Sequence, residues 1–240
     1  MITKVKNKIK KDQFIIGVTS ILTNPFFIIR KGIYDALKDV SLEMKGRLLD
    51  VGCGSKPYEQ LFDVEEYIGI DVDQSGHPHD NEDIDIFYDG KRIPFSDNYF
   101  DSVFASEVFE HVFNLDELMM EISRVTKKGG KLLITVPFVW DEHEVPYDFA
   151  RYSSFGLKHI LESNGFEIIY SKKTTTFVET LSQLFISYIY QCIFPKNKII
   201  RFILTPILIM PLTLVSKIIS KILPDSRSLY HNNVICSVKI

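Results

Sequence analysis

The sequence predicts an α/β fold, a mostly parallel sheet covered by helices, with a hydrophobic helical insertion ahead of the last strand. Three observations predict it. Short apolar runs alternate with helical patterns from residue 47 to 171, as parallel strands and their crossovers require. The first of those runs ends in two glycines two residues apart, Gly52 and Gly54. A final alternating run, 233–240, follows a long stretch that is both apolar and basic. The 240 residues are 45% apolar and 25% charged, which suits one domain, or one with a modest appendage. A disordered chain, a collagen-like repeat and a disulfide-stapled miniprotein are excluded. Cys53, Cys192 and Cys236 are too few and too scattered for a disulfide framework or a CxxC zinc site, so a reducing, cytoplasmic compartment is expected.

In chain order, candidate strands fall at 47–51, 67–71, 85–88, 101–106, 131–136 and 166–170, with 233–240 last. In that last run Val234, Cys236 and Val238 share a face. Residues 114–127 read as a helix. Leu115, Leu118, Met119, Ile122 and Val125 recur at spacings of three and four, and Gly129-Gly130 is the expected stop. Residues 153–164 read as a second helix, with Ser153 or Ser154 as N-cap and Gly165 just past its end. The polar stretch 74–83 carries Pro78, His77 and His79; no helix is expected there, and the two histidines read as solvated. Four segments result: a basic and apolar helical start at 1–46, a core at 47–171, a hydrophobic and basic helical insertion at 172–232, and the last strand of the core.

The net charge of −3 hides an asymmetry. Residues 1–31 carry Lys4, Lys6, Lys8, Lys10, Lys11, Arg30 and Lys31 against Asp12, a net of +6. Residues 172–224 carry another +6, residues 225–240 carry +1, and the middle therefore carries −16. Basic charge beside large apolar residues suits an anionic membrane surface, at roughly 1 kcal/mol per Lys or Arg near the lipid. Nucleic acid is disfavoured, because the intervening residues are Ile, Leu and Phe rather than the mixture of a strand-binding groove. The longest uncharged runs, 180–195 and 202–216, hold sixteen and fifteen residues. A span needs about 20, and the second run contains Pro206 and Pro211. Neither reads as a span. The start resembles the first two regions of a signal peptide, but no small-x-small site follows 21–25. Both ends are expected to lie on, or dip into, one leaflet at the inner face of the membrane; packing on the domain or a dimer interface is the bland alternative.

The string that carries chemistry is Leu48-Leu49-Asp50-Val51-Gly52-Cys53-Gly54-Ser55-Lys56-Pro57-Tyr58. Glycine lets a backbone approach a ligand closely. Nineteen residues after Gly52, Asp71 closes Tyr67-Ile68-Gly69-Ile70-Asp71, where a carboxylate accepts hydrogen bonds from both ribose hydroxyls. Asp89-Gly90 and Ile93-Pro94-Phe95 then precede Phe100-Asp101-Ser102-Val103. A nicotinamide dehydrogenase would need a glycine at position 57, which is Pro57.

These residues resemble the class I S-adenosylmethionine-dependent methyltransferases, in particular the methyltransferase type 11 family that includes UbiE- and UbiG-like enzymes. The resemblance covers about 47–171 and the last strand, and implies a Rossmann-like, seven-stranded, mostly parallel sheet. It implies S-adenosylmethionine as cofactor, with Asp50, Gly52 and Gly54 shaping the methionine pocket. By the same resemblance Asp71 holds the ribose, Val72 flanks the adenine, Asp89 with Gly90 faces the adenine amino group, and Ser106 lies near the sulfonium. Lys56 stands where many members have a third glycine, and its side chain is expected to turn outward.

Ligands of open α/β sheets sit beyond the carboxyl ends of the strands, and His111 and His143 fall there. His143 is favoured as general base, because 140–152 gathers Trp140, Asp141, Glu142, Asp148, Arg151 and Tyr152 around an acceptor. His111 and Arg151 are the other candidate catalytic residues; ordering the loop is the plainer reading. Glu107-x-x-Glu110-His111 resembles the cluster that, with a distant histidine, binds a divalent ion in some O-methyltransferases. Glu107, Glu110, His111 and His143 are thus a candidate metal set, though a metal is not the expected cofactor, since EH here also caps strand and helix.

The leading expectation is O-methylation of a glycan or lipid-linked acceptor at the cytoplasmic membrane face. Methylation of a soluble small molecule, such as a quinone precursor, is the alternative, the insertion then acting as a lid. A catalytically silent membrane- or partner-docking module is the third, and Asp71, Asp89 and the paired glycines argue against silence.

Overall fold

A computed structural model describes residues 14–73 and 83–240. His77, His79 and the basic residues from Lys4 to Lys11 lie outside the described residues. Two compact units are distinguished. One comprises residues up to Asp35 with Lys173–Asn232; the other comprises Ala36–Lys172 with Asn233–Ile240.

The second unit holds the sheet, with strands β1 (Arg47–Val51), β2 (Glu66–Val72), β3 (Ile86–Tyr88), β4 (Phe100–Ser106), β5 (Thr126–Pro137), β6 (Phe166–Lys173) and β7 (Asn232–Lys239). Their order is β3-β2-β1-β4-β5-β7-β6. Strands β1 to β5 pair in parallel, with Asp50 beside Gly69 and Phe104, and Ser106 beside Thr135. Strand β7 runs antiparallel to β6, since Thr174 N donates to Asn232 O and Ile240 N to Gly165 O, each at 3.0 Å. The order reverses direction at β1/β4, the switch point where ligands bind in doubly wound sheets.

The core of this unit joins Leu49, Val51, Val103, Leu132 and Ile134 of the strands to one face of α2 (Leu115–Val125). On that helix Leu115, Leu118, Met119, Ile122 and Val125 are all buried, as their spacing predicts. The glycines do not end it. The chain leaves the helix at Thr126, whose hydroxyl donates to Ile122 O at 2.6 Å, and β5 begins there, so Gly129 and Gly130 lie within the strand. Helix α3 (Ser154–Ser163) is capped by Ser153, whose hydroxyl accepts Gly156 N at 3.2 Å. Leu157 and Leu161 are its buried residues.

The first unit contains most of α1 (Phe27–Val40), then α4 (Phe177–Tyr188), α5 (Lys198–Leu204) and α6 (Met210–Ile222). Thr176 and Glu179 form a reciprocal capping box at the start of α4. Pro206 and Pro211 do not break the chain into short pieces. A π turn at Thr205–Ile209 carries α5 into α6, giving one helix of 25 residues from Lys198 to Ile222. The wider turn leaves the N–H groups that proline lacks out of the regular ladder. By length and composition this helix is long and apolar enough to cross a membrane.

Candidate active site

Strand β1 delivers its carboxyl end into a loop held open by left-handed residues: Gly52 at φ 68°, Gly54 at φ 49° and Lys56 at φ 47°. A side chain at Gly52 would come within 2.5 Å of Val108, whereas one at Gly54 would meet nothing within 4 Å. Gly52 is thus a packing requirement, and Gly54 borders open space. Gly54 N donates to Asp71 Oδ2 at 2.9 Å, and Val72 N donates to Asp71 Oδ1 at 2.8 Å. The carboxylate at the end of β2 therefore fixes the glycine loop at the end of β1.

Asp50 is buried beneath that loop and accepts from Tyr67 Oη at 2.6 Å. Burial drives its pKa up to about 7, opposed by the tyrosine hydrogen bond and reinforced by the charge of Asp71. Lys56 does not turn outward. Its side chain is 6% exposed and its Nζ lies 2.6 Å from Asp85 Oδ2, which also accepts Gly69 N at 2.6 Å. Gly69 makes room for this, because a Cβ there would sit 2.5 Å from Lys56 Cε. Burial raises the Asp85 pKa, but the bonds from Gly69 and Lys56 outweigh it and hold the group below its ordinary value. At the end of β3, Asp89 Oδ1 accepts Lys91 N and Arg92 N at 2.9 and 3.0 Å, which lowers its pKa. Gly90 follows at φ 73° and faces Val72.

A second cluster forms beyond β4 and β5. Ser106 Oγ lies 2.8 Å from Thr135 Oγ1, which donates to Glu107 Oε1 at 2.6 Å. Glu107 itself is left-handed at φ 57°. Glu110 is buried, and neither of its carboxylate oxygens has a hydrogen bond. Burial, then the charge of Glu107, push its pKa well up. Its backbone carbonyl accepts Phe149 N at 2.8 Å, which docks the loop that carries His143. His111 and His143 meet edge to face with ring centres 4.8 Å apart. His143 Nδ1 lies 3.2 Å from Asp148 Oδ2, and Asp148 is held far below the usual carboxylate range, chiefly by Arg151. Arg151 is thus occupied in orienting Asp148.

Of the four expected metal ligands, the structure gathers Glu110, His111 and His143, with one ligand atom from each within 4.8 Å of the others. Glu107 is outside this group, its carboxylate drawn to Thr135 on the neighbouring strand. Sequence reasoning missed Tyr67, Asp85, Thr135 and Glu144. Glu144 Oε2 lies 3.8 Å from His111 Nε2. No spacing marks any of these four, because each is recruited by sheet register or by a loop crossing.

Residues 49–134 match a family model described as a methyltransferase domain. Over 65 residues the chain is 38% identical to a ubiquinone/menaquinone biosynthesis C-methyltransferase UbiE of Burkholderia cenocepacia, covering 27% of each protein. A 94-residue stretch is 30% identical to an uncharacterised protein of Methanocaldococcus jannaschii, covering 38% of this chain and 45% of that one. The chain therefore spans less than half the length of these curated relatives. The solved structure of the cyclase SpnF superposes with a TM-score of 0.53 at 19% identity, over 86% of this chain and 80% of that chain. A likeness of that kind establishes the fold and leaves the reaction to the residues of the site.

Proposed function

We propose, from the premise that residues 49–134 are a class I S-adenosylmethionine-dependent methyltransferase domain, that the protein methylates a hydroxyl oxygen. The acceptor we assign is a glycan or lipid-linked molecule at the cytoplasmic face of a membrane. The observation that carries methyl transfer is the bond from Gly54 N to Asp71 Oδ2. It sets a ribose-binding carboxylate beside a glycine that faces open space, both at the carboxyl edge of the sheet.

S-adenosylmethionine supplies a methyl group on a positively charged sulfur. In this reading Asp71 takes the ribose hydroxyls, Val72 and Asp89-Gly90 border the adenine, and Asp50, Gly52 and Gly54 enclose the methionine end. Ser106 stands at the end of β4, on the side of the transferring methyl. Bound there, S-adenosylmethionine would supply that methyl to an acceptor oxygen, the S–C electron pair remaining on the sulfur of S-adenosylhomocysteine. His143 accepts the hydroxyl proton, with Asp148 orienting the ring. Holding nucleophile and methyl in line supplies much of the rate.

Glu110 favours a second reading of the activation step. A buried carboxylate with no hydrogen bond, next to two imidazoles, is a donor set that fits a borderline divalent cation. Glu110, His111 and His143 would hold it, and it would lower the pKa of the acceptor hydroxyl. For the acceptor, the match to UbiE favours a quinone precursor as the alternative. The exposed apolar residues of the first unit favour the lipid-linked one.

Asp71→Ala tests the cofactor site. Loss of charge-assisted hydrogen bonds is expected to cost about 2–4 kcal/mol, or roughly 30- to 1,000-fold in S-adenosylmethionine affinity. Isothermal calorimetry reads the affinity and circular dichroism the fold. Unchanged affinity in a folded variant would remove Asp71 from the site.

A further inference from the structure

We propose that residues 177–222 form a helical hairpin inserted in the hydrocarbon of a lipid bilayer, rather than a segment resting on the membrane by charge. Around a small apolar centre of Ile28, Ile186, Phe194 and Ile209, the first unit buries polar side chains and exposes aliphatic ones. Thr180 and Gln183 are fully buried, as are Thr205, Thr213 and Ser216 to within a few per cent, whereas Phe185 is 57% and Ile222 75% exposed. A protein packed for water buries the other set. Helices packed in lipid do this: small and hydroxylated residues face the partner helix, and aliphatic ones face the acyl chains. Two of the buried hydroxyls are satisfied by their own helix, Thr180 donating to Thr176 O and Thr205 to Arg201 O at 2.8 and 2.7 Å. Gln183 is satisfied by Pro25 O and Ile28 N of the same unit.

The exposed apolar surface also wraps the helix. Ile199 and Ile200, Leu214 and Val215, and Ile218 and Ile219 are neighbours in sequence, each pair turned about 100° apart, and all six are exposed. An amphipathic helix lying in the interface keeps one polar face; a helix apolar nearly all round is surrounded by apolar matter.

Charge marks the two ends. Residues 180–195 and 202–216 carry no charge, and the two arms run antiparallel about the turn at 194–197. Glu179 and Lys217 pair at 2.7 Å at the base of the hairpin. Lys196, Lys198 and Arg201 cluster at its tip, where Arg201 stacks over Tyr190 with its centre 4.7 Å from the ring. Fifteen residues of helix span about 22 Å. Long basic side chains that reach outward to the headgroups extend that toward the roughly 30 Å of a bilayer core. A tip of three cations and a tyrosine is the chemistry of an interface, so the tip is assigned to the opposite headgroup layer. A second copy of the chain is the other occupant such a surface could take.

The full wild-type chain, reconstituted in phosphatidylcholine vesicles with and without phosphatidylglycerol, tests the assignment. Flotation is run in about 1 M NaCl, where the screening length falls to about 3 Å, and again in alkaline carbonate. The protein is expected to stay with both kinds of vesicle under both conditions. Cys192 adds a native probe, being the exposed thiol while Cys53 and Cys236 are buried. On intact vesicles a membrane-permeant maleimide is expected to label it at least about tenfold faster than an impermeant one, since the tip lies beyond the hydrocarbon. Release by salt or carbonate, or equal labelling rates, would overturn the hairpin. So would purification without detergent as a monodisperse dimer. None of these readouts depends on cofactor binding, so calorimetry on the same protein separates failure of the hairpin from failure of the methyltransferase reading.

Discussion

Lys56 and Asp50 show how a glycine loop is kept when its third glycine is missing. The lysine accepts the left-handed conformation and turns its ammonium inward to Asp85, and Gly69 on β2 clears the space for its stem. The sequence displays the departure at Lys56 but not the compensation, because Asp85 lies 29 residues away and reaches it only through strand pairing. Asp50 is legible as part of the motif, yet its protonation is not, since that follows from complete burial. Burial lifts its pKa in the folded chain to about 7, above the ordinary aspartate value of 3.8. Stability from the protonated form is thus fully present below about pH 4 and is lost as pH rises through about 7. Asp50→Asn is expected to remove that component. Urea unfolding of the cofactor-free protein at pH 5 and pH 8 should show a smaller loss of stability in the variant than in wild type. Equal losses would mean that Asp50 is ionised throughout.

At the scale of elements, the apolar spacing of α2 and the N-cap of α3 are readable directly, and both are as the spacing predicts. The stop of α2 is not, because Thr126 enters a strand before the glycines are reached, and sheet pairing wins over the local turn signal. Arg124 gives the Ile93-Pro94-Phe95 motif its physical role. Its guanidinium donates to Ile93 O and Phe95 O at 2.9 and 2.7 Å, which fastens the approach to β4 onto α2. The residue types of the turn after β4 and of the loop 140–151 mark both as candidate site elements. That their histidines meet is a tertiary fact, set by Phe149 N bonding to Glu110 O. The cation reading belongs to this pair of elements. Under that reading, titration of Mn²⁺ into the full chain, followed by electron paramagnetic resonance, shows one saturable site, weakened about 10- to 100-fold by His143→Ala. No saturable binding in wild type would leave His143 as a general base without a metal.

At the scale of the molecule, charge is divided between a −16 middle and two +6 flanks, and the proposed lipid contact rests on the basic and apolar flanks. Runs of sixteen and fifteen uncharged residues, the shorter interrupted by Pro206 and Pro211, are each too short to span a membrane on their own. The π turn at Thr205–Ile209 changes that, because it joins two short helices into 25 residues. Proline spacing alone does not distinguish a helix break from a π turn; the tertiary structure does. The membrane-borne acceptor proposed above rests on the covalent union of such a segment with a methyltransferase domain.

The most direct measurement uses S-adenosylmethionine bearing a radioactive methyl group, incubated with membranes and soluble extract from the source cells and with either wild type or Asp71→Ala. Label that depends on wild type and enters the membrane or organic phase as a base-stable methyl ether is the expected result. Wild-type label confined to the aqueous phase would contradict the lipid-linked acceptor, and label equal in wild type and Asp71→Ala would contradict methyl transfer at this site.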